Sequence, residues 1–81
     1  MKAVIHVSLK KAILDPQGKA IANALHSMGF DEVEDARQGK VIELQLGEVA
    51  DKADMEERLK VMCDQLLANP VIEDYKIELV A

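Results

Sequence analysis

The sequence predicts an α+β fold: a small, mainly antiparallel sheet with two helices on one face, in the order β-α-β(β)-α-β, of ferredoxin-like type. Three observations carry this. Apolar and polar residues alternate with a period of two near both ends and in the middle of the chain. Two intervening stretches instead space their apolar residues three and four apart, as a helix buried on one side requires. Gly29 and the pair Asn69-Pro70 punctuate the ends of those stretches.

At the N-terminus, Ala3, Ile5, Val7 and Leu9 alternate with Val4, His6, Ser8 and Lys10, which gives a strand with one strongly apolar face. Asp15-Pro16 opens the first helix. The carboxylate can accept from early backbone amides, and proline suits the first helical position. Ile21, Ala24, Leu25 and Met28 form its apolar stripe, and Gly29 supplies a left-handed stop. From Glu32 to Leu46 the chain reads as extended, with Ile42, Leu44 and Leu46 on one side and Val41, Glu43 and Gln45 on the other. Gln38-Gly39 in its middle suits either a hairpin turn between two strands or a bulge in one bent strand. The second helix begins at a capping pair, Asp54 with Glu57, and buries Met55, Leu59, Met62, Leu66 and Leu67. Asn69, which tolerates the left-handed conformation, and Pro70 then stop it. Tyr75, Ile77 and Leu79 alternate with Asp74, Lys76 and Glu78 in a final strand.

At 81 residues the chain is read as one domain, 1–81, near the size at which a single core barely offsets chain entropy. Phe30 and Tyr75 are its only aromatic residues, so the core must be aliphatic. Fifteen acidic against ten basic side chains give a formal charge of -5, which argues against a nucleic-acid partner because counterion release needs clustered Lys and Arg. No apolar run approaches the roughly 20 residues of a membrane helix. The segment Met1–Val7 makes a poor signal peptide, and Cys63 is the lone cysteine, so a reducing, cytoplasmic location is expected. The predicted sheet keeps one face uncovered, with Val4, His6, Val41, Gln45, Lys76 and Val80 on it. Self-association as a dimer or tetramer, through this face or a strand edge, is therefore expected.

Convergent chemistry is missing from the pattern. His6 and His26 fall on a strand and a helix without a pairing motif, and both read as surface residues. Cys63 lies on the buried side of the second helix, where a free cysteine is inert. The cluster Asp31, Glu32, Glu34 and Asp35 reads as a solvated strand approach rather than a cation site. The four glycines are scattered, so there is no phosphate-binding loop. Gly18 in the first helical turn suits either close approach of another backbone or simply lower local crowding. No catalytic, cofactor-binding or metal-binding residues are predicted. The residues describe a module that associates rather than reacts.

The run Cys63-Asp64-Gln65-Leu66-Leu67-Ala68-Asn69-Pro70-Val71-Ile72-Glu73-Asp74-Tyr75 closely resembles the PurS family, the small subunit of phosphoribosylformylglycinamidine synthase. Leu14-Asp15-Pro16-Gln17-Gly18, Ala24-Leu25 with Met28-Gly29, and Arg37 with Gly39-Lys40 extend the resemblance over nearly the whole chain in order. The resemblance implies a PurS-like fold and a noncatalytic role in de novo purine biosynthesis. The subunit would bridge a synthetase subunit, which uses ATP and Mg, and a glutaminase subunit, and would support ammonia transfer between them. Within the matching blocks, Gln17, Arg37, Lys40, Glu73 and Asp74 are the residues that folding explains least. They are the candidate partner contacts. A different reading of the same scaffold is a small oligomeric regulatory module that binds a metabolite.

Overall fold

The computed structural model describes residues 1–81. Strand β1 (Lys2–Leu9) runs through the centre of a three-stranded antiparallel sheet of order β2-β1-β3, with β2 (Lys40–Gln45) and β3 (Glu73–Val80) on its two sides. Ile5 lies opposite Ile42 on one side and Ile77 on the other. The period of two is therefore read out as predicted: Ala3, Ile5 and Val7 are buried, while His6 and Ser8 are exposed. Helix α2 (Lys52–Met62) continues into a wide π turn (Cys63–Leu67) and lies against the apolar side of the sheet. The core is Ala3, Ile5 and Val7 of β1 with Met55, Leu59, Cys63 and Ala68, flanked by half-buried residues such as Ile42, Leu44, Ile77 and Leu79. It is aliphatic apart from the half-buried Tyr75 at its margin.

Several local expectations shift. Between Glu32 and Leu46 there is neither a hairpin nor a bent strand, for β2 begins only at Lys40. Gly39 sits where a Cβ would come within 2.6 Å of the Val7 carbonyl oxygen, so the chain passes close to β1 before pairing with it. The cap of α2 is Asp51, not Asp54: its Oδ1 accepts from the Ala53 amide at 3.0 Å. Leu66 is 83% exposed, although helical spacing places it in the buried stripe. The π turn is the reason. Ala68 N–H reaches back to Cys63 O at 2.9 Å, and the extra residue per turn rotates Leu67 and Ala68 inward in its place. Nor does Asn69 adopt a left-handed conformation; Gly29 alone has positive φ, at 96°. Instead the Asn69 side chain accepts from Val71 N–H at 3.1 Å, an Asx turn that leads towards β3.

Helix α1 (Pro16–Ser27) occupies an unexpected place. None of its residues joins the core cluster. The helix packs against the segment that follows it: Ala22 and Gly18 are buried, and the His26 ring nitrogen Nε2 bonds the Val33 carbonyl. Leu14, Ile21 and Met28 remain exposed, by 70%, 40% and 69%. The shape records the same arrangement. The radius of gyration is 16.2 Å and the longest axis 51 Å, against about 12 Å of radius for a compact chain of this length. The strand and helix order and the antiparallel sheet follow the sequence; of the two helices, α2 alone covers the sheet face.

Leu59 is fully buried between α2 and β1. Leu59→Ala is expected to cost about 2–5 kcal/mol, a large share of the stability of a domain this small. A urea titration followed by circular dichroism checks this, with a midpoint shifted strongly downward as the expected result.

Candidate partner-contact site

Asp15 organises one end of the sheet. Its extended backbone precedes Pro16, whose fixed φ suits the first helical position, and Oδ1 accepts from Gly18 N–H at 3.0 Å. Its other oxygen, Oδ2, accepts from Gln38 N–H at 2.7 Å, across 23 residues of sequence. One buried carboxylate thus caps α1 and holds the approach to β2. The bonds from Gly18 and Gln38 draw the Asp15 pKa below its ordinary value of 3.8, the Gly18 amide most, against an opposing effect of burial.

Arg37 stands beside this carboxylate. Its Nη2 lies 2.8 Å from the Lys10 carbonyl oxygen, 3.0 Å from that of Ile13 and 3.4 Å from that of Leu9. The planar guanidinium ties down the loop between β1 and α1, as several carbonyls at one point demand. Gly18 completes the junction. A Cβ there would fall 2.2 Å from the Ala36 carbonyl oxygen, so of the two readings of this glycine it is close backbone approach that applies.

Around this junction lies an open groove of about 460 Å³, lined among others by Ser8, Gln17, Gln38, Lys40 and Glu73. The structure therefore gathers the five predicted contact residues at one end of the sheet. Gln17, Lys40 and Glu73 line the groove, Arg37 lies behind Asp15, and Asp74 follows Glu73 at the start of β3. Their circumstances differ. Glu73 Oε1 accepts from Asn69 N–H at 2.8 Å, and Asp74 is 3.8 Å from Lys10 Nζ. With Arg37 committed to carbonyls, three of the five have partners inside the chain. The side chains of Gln17 and Lys40 are exposed and bind nothing in it. The Asp15–Gln38 bond was not legible in the sequence, because nothing local marks a bond across that separation.

Elsewhere the chemistry is sparse. No group of three His, Cys, Asp or Glu side chains is arranged to hold a metal ion. Cys63 is buried, and desolvation, reinforced by Asp64, pushes its thiol above the ordinary value. The Tyr75 hydroxyl donates to Asp64 Oδ1 at 2.9 Å, which raises the phenol pKa and locks β3 to the π turn. No helix is long and apolar enough to cross a membrane.

A three-stranded antiparallel sheet covered by α2, with α1 projecting and an open groove at the sheet end, defines a small α+β module. Residues 2–81 match the model of the PurS family, described as phosphoribosylformylglycinamidine (FGAM) synthase. The chain is 52% identical over 77 residues to the FGAM synthase subunit PurS of Bacillus subtilis, covering 95% of this chain and 89% of that one. It is 41% identical to the Methanocaldococcus jannaschii subunit, over 95% and 92% of the two chains. A solved B. subtilis PurS structure superposes with a TM-score of 0.85 at 48% identity, covering 99% of this chain and 98% of that one. A chain of the structure of PurLQS from Thermotoga maritima does so with 0.86 at 33% identity, covering 98% and 95%. The chain belongs to the PurS family of FGAM synthase subunits.

Two expectations follow from the junction. Gly18→Ala, a change that normally stabilises a helix, is expected here to cost about 1–3 kcal/mol because a backbone carbonyl occupies the space of the new methyl. Chemical denaturation reads the sign directly. For Asp15, the folded pKa lies below the unfolded one, so its contribution is complete above about pH 3.8 and is lost as pH falls through the folded value. Asp15→Asn is expected to lower the melting temperature at pH 7 by roughly 5 °C or more. The gap from the parent protein should close as thermal melts are carried down towards pH 2.

Proposed function

We propose that this chain is the noncatalytic subunit that bridges the synthetase and glutaminase subunits of FGAM synthase in de novo purine biosynthesis, in the cytoplasm. On this reading it supports ammonia transfer for the ATP-dependent conversion of formylglycinamide ribonucleotide to the amidine. ATP and Mg belong to the synthetase subunit. The observation that carries the proposal is the sheet-end groove, where Gln17 and Lys40 stand exposed and unpaired on a rigid frame. Side chains that fold nothing, presented by a junction this heavily bonded, suit recognition of a partner surface. The exposed apolar residues of α1 add a second surface of the same kind. The relationship to a chain in a PurLQS structure supports the same reading.

The chemistry gives such a subunit a purpose. Free ammonia released into water is largely captured as ammonium, which has no lone pair to attack with. A water-restricted route between two active sites preserves the nucleophile, and a bridging subunit holds the two enzymes at a high effective concentration.

Amidine formation by the two partner subunits, with and without this chain, tests the role. The expected result is a strong requirement for the chain with glutamine and a much weaker one with ammonium salt. Lys40→Glu is expected to keep the fold, by circular dichroism, and to lower glutamine-dependent turnover by roughly tenfold through an interface charge mismatch. Equal turnover without the chain in both assays would refute the bridging role.

A further inference from the structure

Asp15-Pro16 is the one place in the chain where a carboxylate side chain precedes proline; the other proline follows Asn69. Such a bond carries its own reagent. It is a tertiary amide whose nitrogen leaves as a basic secondary amine, and the aspartate carboxylate can attack the main-chain carbonyl carbon of its own residue at high effective molarity. Here that nucleophile is held. Asp15 is only 5% exposed, Oδ1 accepts from Gly18 N–H at 3.0 Å and Oδ2 from Gln38 N–H at 2.7 Å. The carbonyl oxygen of the same residue accepts from Lys19 N–H at 2.9 Å, so the peptide unit is fixed at the start of α1 as well.

We propose that the Asp15-Pro16 bond is a self-cleavage site guarded by the fold: while the junction stands the bond survives mild acid, and once it opens the chain cuts itself into Met1–Asp15 and Pro16–Ala81. The inference is independent of the bridging role. In the step, a carboxylate oxygen bonds to the Asp15 carbonyl carbon, the bond from that carbon to the Pro16 nitrogen breaks, and the nitrogen leaves with a proton from the acid medium. Water then opens the cyclic anhydride, so the sum is hydrolysis of one peptide bond. Protonation of the carboxylate is not the guard. The Gly18 and Gln38 amides, with a smaller effect of Arg37, hold its pKa below the ordinary 3.8, so in mild acid the folded chain keeps the nucleophilic form. The other charged groups around the junction, Lys11, Lys19, Glu34 and Asp35 on one side and Lys40 and Glu73 on the other, make no bond to it. The guard is geometric: to turn on its own carbonyl carbon, the carboxylate must release both amides, which opens the α1 cap and the approach to β2 together. A cut chain does not mend. Its new ammonium group stands at the start of α1, where the helix dipole favours negative charge, and β1 is severed from α1. Acid unfolding therefore becomes irreversible with time.

The test incubates the full chain, with and without urea, at the lowest pH at which circular dichroism shows it folded, and follows the fragments by mass spectrometry. The urea-unfolded chain is expected to be cut between Asp15 and Pro16 at least roughly tenfold faster than the folded one, with Asn69-Pro70 intact in both. Gly18→Ala disturbs the junction but keeps the carboxylate; without urea it is expected to be cut roughly fivefold faster than the parent. Asp15→Asn disturbs the junction and removes the carboxylate, and is expected to resist cutting at this bond even in urea. Equal rates for the parent with and without urea, or no cutting in either, would overturn the proposal. So would cutting of Asp15→Asn at the parental rate in urea. A Gly18→Ala chain no more labile than the parent would overturn the assignment of the guard to this junction.

Discussion

One carboxylate and one guanidinium at the same end of the sheet carry the architecture. Asp15 bonds the amides of Gly18 and Gln38, and Arg37 binds the carbonyls of the loop that leads to Asp15. Together they fix where the chain leaves β1, where α1 starts and how the return to β2 is made. These are backbone groups that would otherwise be left at helix and strand termini, where each unsatisfied one is costly. Because the junction holds α1 by its first turn, that helix projects past the sheet. Ile21 and Met28 of its apolar stripe are left exposed.

The core itself is small and one-sided. Three residues of β1 meet α2 and the π turn, and no aromatic ring fills the centre. Inserting one residue at the π turn lets Leu67 and Ala68 pack inward before the Asx turn at Asn69 sends the chain into β3. Tyr75, bonded to Asp64, closes that corner. A core of this size leaves the groove residues and the exposed apolar residues of α1 outside it.

The five contact candidates illustrate how function and folding share residues. Arg37, one of the five residues that the sequence explains least by folding, is bonded into the frame, whereas the side chains of Gln17 and Lys40 are free of it. A polar residue in a family-like block can support the platform or touch the partner. Only its bonds distinguish the two.

The order of elements, the inward faces of all three strands, the Asp15-Pro16 helix start and the buried Cys63 were determined by the sequence alone. Each follows from local periodicity, proline geometry or the hydrophobicity of a single face. Tertiary structure decided the rest: the projection of α1, the exposure of Leu66, the cap at Asp51 and the commitment of Arg37. A stripe on a helix shows that a face will be buried without showing against what. Bonds such as Asp15 to Gln38 join groups 23 residues apart, and no local pattern encodes them. What periodicity records is the preference of each segment; where segments meet is set by backbone groups seeking partners once the chain has folded.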